Sequence, residues 1–184
     1  MPGTAQAVPV TGTQNLIALS TTSSLPDLAI GDVLTNSGTA FGGGQTGDFM
    51  AIPVGTAVTD TSLTASLGAS YAFTSAVGDF SGMVNSQPTL AVSNGGLLRT
   101  LTVFVLGTFS PAGVLSGFDP GPASMSIAYT ESKTGGPPVL TSFSFSGTLA
   151  SPPAAPPSVP EPMSLALLGA GLVGLGLVRY RKPD

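Results

Sequence analysis

The chain of 184 residues contains no histidine, no cysteine and no tryptophan. Without cysteine it can form neither a disulfide framework nor a thiol nucleophile, and without either Cys or His it lacks the usual zinc ligands. Without histidine it cannot build a Ser-His-Asp triad. These absences exclude thiol and serine-triad enzymes and Cys/His zinc domains.

Charged residues are also scarce. Five Lys and Arg and nine Asp and Glu make up 8% of the chain, against about 25% in an average soluble protein. The net charge of −4 excludes the basic patch that nucleic-acid binding needs. Small and polar residues take their place, with 25 glycines, 17 prolines and 43 serines and threonines.

The placement of charge divides the chain into an acidic body and a basic tip. Residues 1–160 hold two basic and seven acidic residues, whereas three of the five basic residues, Arg179, Arg181 and Lys182, fall within the last six positions. An asymmetry of this kind indicates orientation across a membrane, since loops rich in Lys and Arg stay on the cytoplasmic side.

Two further segments lie between the body and the tip. Residues 150–162 hold six prolines in thirteen positions, which favours an extended polyproline-II linker over helix or strand. Residues 163–178 contain no charge, and as a helix at 1.5 Å per residue they would span roughly 24 Å. That length predicts a short transmembrane helix, with a buried helix of a globular domain as the alternative.

The body reads as all-β. Short runs of apolar residues and threonine, several of them alternating with hydroxyl residues, are separated by Gly, Pro, Asn and Asp clusters. We therefore predict a single β-sandwich or jelly-roll-like domain over 14–149 with most phenylalanines in its core, and an Asn94-Gly95 hairpin turn. The predicted strands are Leu16–Ser20, Ala29–Leu34, Phe49–Ile52, Ser62–Leu67, Tyr71–Val77, Thr89–Val92, Leu97–Thr108, Ser124–Thr130 and Val139–Leu149.

Two glycine-rich stretches match nucleotide-binding motifs by letters only. Residues 169–174 read G-x-G-x-x-G, but they stand in the apolar run and the chain ends ten residues later, without the βαβ unit that the fingerprint needs. Residues 42–47 have phosphate-loop glycines, but Asp48 and Phe49 stand where a phosphate loop has Lys and a hydroxyl residue. Neither stretch predicts a cofactor, and we expect none.

Acidic residues offer two weaker alternatives. Asp32, Asp48, Asp79 and Asp119 each lie beside glycine or proline, where calcium binding is conceivable but turn formation is the commoner role. A carboxylate pair could in principle hydrolyse glycosides, but no spacing points to a pair. Ser132-Lys133 is a poor hydroxyl–amine dyad, because neighbours on a strand point to opposite faces.

The C-terminal segments together resemble the PEP-CTERM sorting signal. The order is Val159-Pro160-Glu161-Pro162, sixteen apolar residues, then Arg179-Tyr180-Arg181-Lys182 at the end of the chain. Two segments of the body, 106–111 and 145–153, also resemble stretches of small PEP-CTERM proteins, though more loosely.

The resemblance implies a function in the envelope of a Gram-negative bacterium. Proteins with this signal cross the inner membrane and are recognised by exosortase, so Pro160, Glu161 and Pro162 would form the recognised triplet. Arg179, Arg181 and Lys182 would stop transfer and leave 179–184 as a cytoplasmic tail. The chain would be a substrate and not an enzyme. Its partners would be exosortase, the membrane and extracellular polysaccharide, in biofilm formation at the cell surface.

Such proteins begin with a secretory signal peptide, which residues 1–10 do not resemble. Ala5-Gln6-Ala7 does resemble a signal-peptide cleavage site. Residues 1–13 are therefore interpreted as the end of a signal peptide. We expect an in-frame upstream segment that codes for basic and then apolar residues, and a stop codon directly before Met1 would contradict this.

Two other functions stay open from sequence. One is a secreted carbohydrate-binding module or hydrolase that carries the same signal, which a concave, carboxylate-lined cleft would favour. The other is a cytoplasmic protein anchored by its C-terminal tail, which would carry the three terminal cations across the membrane, against the positive-inside trend.

Overall fold

The alternating runs of the body form β-strands. The computed structural model describes residues 8–137 and 139–154, which form twelve strands and three short 3-10 helices, with no α-helix among them. The strands are β1 (Gly12–Ile17), β2 (Ser20–Ser23), β3 (Val33–Ser37), β4 (Ala40–Phe41), β5 (Val58–Asp60), β6 (Leu63–Thr64), β7 (Ser70–Ser75), β8 (Gly78–Val84), β9 (Thr89–Ser93), β10 (Leu98–Pro111), β11 (Gly121–Lys133) and β12 (Thr141–Ser151). The 3-10 helices are Gly47–Ala51, Asn94–Gly96 and Gly113–Leu115.

Nine of these strands form one antiparallel sheet that nearly closes on itself. Its order is β4-β1-β12-β11-β10-β8-β7-β5, and β9 pairs with β10 beside this path. The two ends of the path meet at a bridge between Ala40 and Ala57, where the Phe41 amide also donates to the Thr56 carbonyl at 3.0 Å. The all-β prediction is confirmed, but the main sheet curls round on itself and is not split into the two stacked sheets of a sandwich.

A smaller sheet lies beside the main one. β2, β3 and β6 pair in the order β2-β3-β6, and β2 runs next to β12. The long strands β10, β11 and β12 form the centre of the main sheet, in a continuous antiparallel register. β8 and β9 both pair with β10, but with different halves of it. β9 pairs with the half that begins at Leu98, and β8 pairs with the half that ends at Pro111.

The core follows the period-two pattern of the strands. Leu101, Val103 and Val105 point inward from β10 and are fully buried, as alternation predicts. Of the nine phenylalanines, seven are buried and two, Phe118 and Phe143, pack partly buried against the core, so the prediction of core phenylalanines is confirmed. Ring contacts at 5.4–6.0 Å between centroids link the strands in four pairs: Phe41 with Phe73, Phe73 with Phe80, Phe49 with Phe109, and Tyr129 with Phe145.

Some predicted strands were wrong. Phe49–Ile52 lies mostly in the first 3-10 helix, because Asp48 binds the backbone amide of Thr11 at 2.8 Å and its hydroxyl at 2.9 Å, which bends the chain. Gly47 enters this bend with φ +59°, and a Cβ there would lie 2.2 Å from the Thr11 carbonyl oxygen. β8, with its two glycines, was not predicted at all.

The predicted hairpin at Asn94-Gly95 is confirmed. β9 and β10 pair from Ser93 with Leu98 onward. Asn94 and Gly95 both take positive φ, at +50° and +63°. Asparagine and glycine reach this region at low cost, which is why the dipeptide predicts such a turn.

The predicted linker and membrane helix fall at or beyond the end of the described chain. Residues 150–154 belong to the described part, whereas 155–162 and all of 163–184 lie outside it. No helix among the described residues has the length and apolar character needed to cross a membrane. The described strands run from Gly12 to Ser151.

Candidate functional site

The linker leaves the domain beside the point where the described chain begins. β1 starts opposite the end of β12, with Gly12 paired to Ser151. The Asp119 amide donates to the Val8 carbonyl at 3.2 Å. Just past β12, the Ala154 amide donates to the Ser124 hydroxyl at 2.8 Å, which holds the first linker residues against the sheet. Both ends of the described chain therefore lie at one end of the domain.

An apolar cavity of about 230 Å³ lies between these two chain ends. No charged side chain lines it, and its walls are mainly prolines and valines. The lining residues are Val8, Pro9, Val10, Thr11, Pro122, Ser151 and Pro152. Such a cavity can hold a small apolar group, but its lining residues include no acid or base that could activate the hydroxyls of Thr11 and Ser151.

A buried ion-pair cluster lies at the other end of the long strands. Glu131 on β11 is 1% exposed, accepts a hydrogen bond from the Leu28 amide at 2.8 Å, and lies 3.1 Å from Lys133 Nζ. Arg99 Nε lies 3.9 Å from the same carboxylate. Asp27 pairs with Arg99 at 3.1 Å and contacts the Lys133 ammonium as well. Two carboxylates and two cations thus neutralise one another.

The cluster fastens a loop across the sheet. Arg99 also donates to the Leu28 carbonyl at 3.3 Å, so both backbone groups of Leu28 are held by side chains from β10 and β11. Leu28 itself is fully buried. A buried carboxylate without partners would be very unfavourable, and here Glu131 has the Leu28 amide and the Lys133 ammonium beside it, although Arg99 Nε donates no hydrogen bond. This arrangement is structural in kind.

A second polar cluster lies between the two sheets around Asp60 of β5. The carboxylate accepts hydrogen bonds from Asn36 Nδ2 at 2.7 Å, the Thr39 hydroxyl at 2.9 Å and the Tyr71 hydroxyl at 3.3 Å. Asn36 also donates to the Tyr129 hydroxyl at 3.3 Å. These contacts join the small sheet to the interior of the main sheet.

The two tyrosines of this cluster stay protonated far beyond neutral pH. Burial is the main cause that raises the pKa of Tyr71 well above its ordinary value, and the nearby Asp60 carboxylate raises it further. Burial likewise raises the pKa of Tyr129, although its hydrogen bond with Asn36 acts in the opposite direction. Both hydroxyls therefore serve as neutral hydrogen-bonding groups and not as acids.

The aspartates that sequence placed in turns lie apart from one another: Asp32 in a loop, Asp48 in the first 3-10 helix, Asp79 near the start of β8 and Asp119 at an isolated bridge. Asp32 is fully buried and accepts from the Ser23 hydroxyl at 2.5 Å and the Ser24 hydroxyl at 2.8 Å. Asp79 accepts from the Ser75 amide at 3.3 Å. In the described part of the chain, no group of three or more His, Cys, Asp or Glu residues could hold a metal ion.

The Ser132-Lys133 pair does not form a dyad. Lys133 turns inward to Asp27 and Glu131, while Ser132 is exposed on the opposite face of β11. Sequence reasoning missed both buried clusters. A signal for one was present, since Ile127, Tyr129 and Glu131 continue the inward period of β11 and so place a carboxylate in the core.

The sorting residues predicted from sequence, Pro160, Glu161 and Pro162 with Arg179, Arg181 and Lys182, lie outside the described residues. A family model of the PEP-CTERM protein-sorting motif matches residues 158–182, which include all six. The resemblance seen in the sequence is thereby confirmed. The motif suggests an exported protein that exosortase processes. It implies a membrane-anchored precursor on the secretion route of Gram-negative bacteria. No curated protein and no solved structure matches the chain.

Proposed function

We propose that the chain is a non-enzymatic protein of the cell envelope and extracellular matrix, which exosortase releases or transfers by cleavage at or near Pro160-Glu161-Pro162. The observation that carries this proposal is the sorting motif at 158–182. The β-domain is the cargo, exposed on the outer side of the inner membrane and then at the cell surface. The apolar run at 163–178 is its temporary anchor.

The charges of the domain support a role without catalysis. Glu131 and Asp27 are engaged with Arg99 and Lys133, and Asp60 binds Asn36 and two hydroxyls. A glycoside hydrolase needs two carboxyl groups that flank the glycosidic bond of its substrate. Six of the seven carboxylates among the described residues, all except Asp119, instead hold loops and strands in place, which favours a structural domain over the hydrolase alternative.

The outer face of β10, β11 and β12 supports an association with polysaccharide. No side chain on this face is charged, and most are hydroxyls or alanine, with Leu98, Phe104 and Leu106 of β10 as the larger apolar groups. The side chains lie in rows across the strands, such as Thr100, Thr130 and Ser144, or Thr102, Ala128 and Ser146. A neutral face of this kind can exchange hydrogen bonds with a neutral polyhydroxyl polymer. It suits a domain embedded in extracellular polysaccharide and biofilm.

The basic tip supports an orientation with the domain outside. Arg179, Arg181 and Lys182 directly follow the apolar run. Each cation costs roughly 2.5–3.5 kcal/mol at the centre of a membrane helix on insertion scales. The cluster therefore resists translocation and stays on the cytoplasmic side, and the opposite orientation would carry it across.

The test is processing of a Glu161→Ala variant in a strain that has exosortase. We expect the full-length precursor to accumulate, because the only charge between Lys133 and Arg179 is removed from the triplet. Pro156→Ala is the matched control, since it changes the same linker outside the matched residues, and it should mature as the wild type does. Equal maturation of the Glu161→Ala variant and the wild type would refute the sorting role of the triplet.

A further inference from the structure

β9 is an edge strand with one side unpaired. Thr89–Ser93 pairs with β10 and with no other strand of the described chain. No further backbone hydrogen bond between described residues reaches its outer side. A row of free amides and carbonyls is a ready template for another strand. The edge is therefore a place where a partner can add by backbone pairing.

β9 also lacks the usual protection of an edge. Natural edge strands avoid pairing through charged side chains, prolines or bulges, but the five residues TLAVS contain neither a charge nor a proline. β9 pairs residue for residue with β10 without a bulge. Val92 is 53% exposed. An uncharged, regular and partly apolar edge favours a partner that covers it.

The sequence of β9 is complementary to itself in antiparallel pairing. With Ala91 at the centre, Thr89 faces Ser93 of a second copy and Leu90 faces Val92 of that copy. Paired residues share one face of a sheet. Leu90 packs against the core, so the apolar pairs fall on the inner face and the Thr, Ser and Ala pairs on the outer. A shift by one residue would destroy this match.

We propose that two copies of the chain join through β9, about a two-fold axis at Ala91. The pairing would make one continuous antiparallel run of eight strands, from β12, β11, β10 and β9 of one copy to the same strands of the other. Closed two-fold pairing is the commonest symmetry of oligomers. It satisfies the free backbone groups of both edges and covers Val92.

The position of β9 suits a protein that is tethered at its C-terminus. Ser93 lies in the same row as Leu98, Ser132 and Ser142, whereas the linker leaves after Ser151. Nine residues of β12 separate that row from the exit, about 30 Å at 3.3 Å per residue. A second copy can therefore approach the edge both before and after the anchor is removed.

Cysteine cross-linking of the full chain tests the proposal directly, because the wild type has no cysteine. Ala91→Cys would place two thiols opposite each other, with Cβ atoms about 5 Å apart, which a disulfide can bridge with small adjustment. We expect a disulfide-linked dimer on a non-reducing gel after mild oxidation of the envelope fraction. Reducing agent should return it to monomer.

Thr89→Cys is the matched control on the same strand and the same face. In the proposed register its own copies lie four residues apart, about 13 Å, which is beyond the reach of a disulfide. It should stay monomeric alone. It should form a mixed dimer when it is co-expressed with a Ser93→Cys chain of different size.

The results can contradict the proposal in three ways. A folded Ala91→Cys chain that remains monomeric under oxidation would overturn it, with far-UV circular dichroism to verify the fold. Equal cross-linking of Ala91→Cys and Thr89→Cys would show random collision or a different register, and would overturn it as well. Cross-linking of Ala91→Cys to a different protein would assign the edge to another partner.

Discussion

The basic residues of the domain and those of the C-terminal tip have different roles in the proposed function. Arg99 and Lys133 are partly buried, and both contact Asp27 and Glu131. Arg179, Arg181 and Lys182 belong to the matched sorting motif and follow an apolar run. In the proposed function, a chain with only five cations uses two to hold a fold and three to set its place in the membrane.

The difference has a physical basis in what surrounds each charge. In the domain, Glu131 is buried and must keep its partners, because an unpaired buried charge is strongly destabilising. In the proposed function, the cations of the tip would act through the energy of moving charge into lipid, whatever their exact geometry. The effect of a substitution should therefore depend on side-chain geometry for the cations of the domain, and only on the loss of charge for the cations of the tip.

The largest effect is expected in the tip. Changing Arg179, Arg181 and Lys182 together to Ala removes a barrier of roughly 2.5–3.5 kcal/mol for each cation at the centre of a membrane helix. Given a working signal peptide, more chains should pass through the membrane and be released unprocessed.

Protease added to spheroplasts measures this, with a tag placed after Asp184. In the wild type the domain should be digested and the tag protected, and in the triple variant the tag should become accessible. Digestion of the tag in the wild type would show that the proposed orientation is reversed.

The second effect concerns the cations of the domain. The double variant Arg99→Met/Lys133→Met leaves Glu131 buried without a cation, and loss of a partner from a buried pair costs about 3–5 kcal/mol. We expect a loss of stability of that size in urea denaturation. Adding Glu131→Gln should restore part of it, because the amide oxygen can still accept from Leu28. Unchanged stability of the double variant would show that Arg99 and Lys133 do not stabilise the fold, and would contradict the distinction between the cations of the domain and those of the tip.

The tyrosines are also divided between the two regions, since Tyr71 and Tyr129 lie in the domain and Tyr180 in the tip. Because burial raises the pKa of Tyr71 and Tyr129, the folded state holds protons that the unfolded state releases near pH 10. The contribution of these two tyrosines to the free energy of unfolding is therefore fully present below about pH 10. Above it, stability falls by about 1.4 kcal/mol per pH unit for each tyrosine.

Tyrosinate absorbance of a Tyr180→Phe variant reports on these two tyrosines alone. Its rise should coincide with unfolding followed by circular dichroism, at a pH above 10. Titration near pH 10 in a chain that is still folded would show that neither hydroxyl is buried as described.

The smallest effect comes from conservative exchange. Arg99→Lys should cost on the order of 1 kcal/mol, because one ammonium cannot reproduce the fork that reaches both Asp27 and the Leu28 carbonyl. Arg179→Lys should change neither topology nor processing, since the charge is kept. The comparison would be reversed if Arg179→Lys impaired processing while Arg99→Lys left the free energy of unfolding unchanged.

The features predicted correctly from the sequence are those whose residues are contiguous in the chain. The strands within Leu97–Thr108 and Val139–Leu149 were found because apolar and hydroxyl residues alternate there, and the sorting motif because its three parts follow one another. The Asp60 cluster was not found, because Asn36 and Tyr129 are 93 residues apart in sequence. Closure of the sheet depends on contacts of β4 and β5, which are too short to show a pattern.

Mass spectrometry of the mature C-terminus is the most direct test that the tip sorts the domain and is then removed. Chains recovered from the surface of cells with exosortase should end at or near Pro160-Glu161-Pro162 and lack residues 163–184. Cells without exosortase should hold chains that still end at Asp184. Surface chains that retain Asp184 in the presence of exosortase would contradict the proposed function.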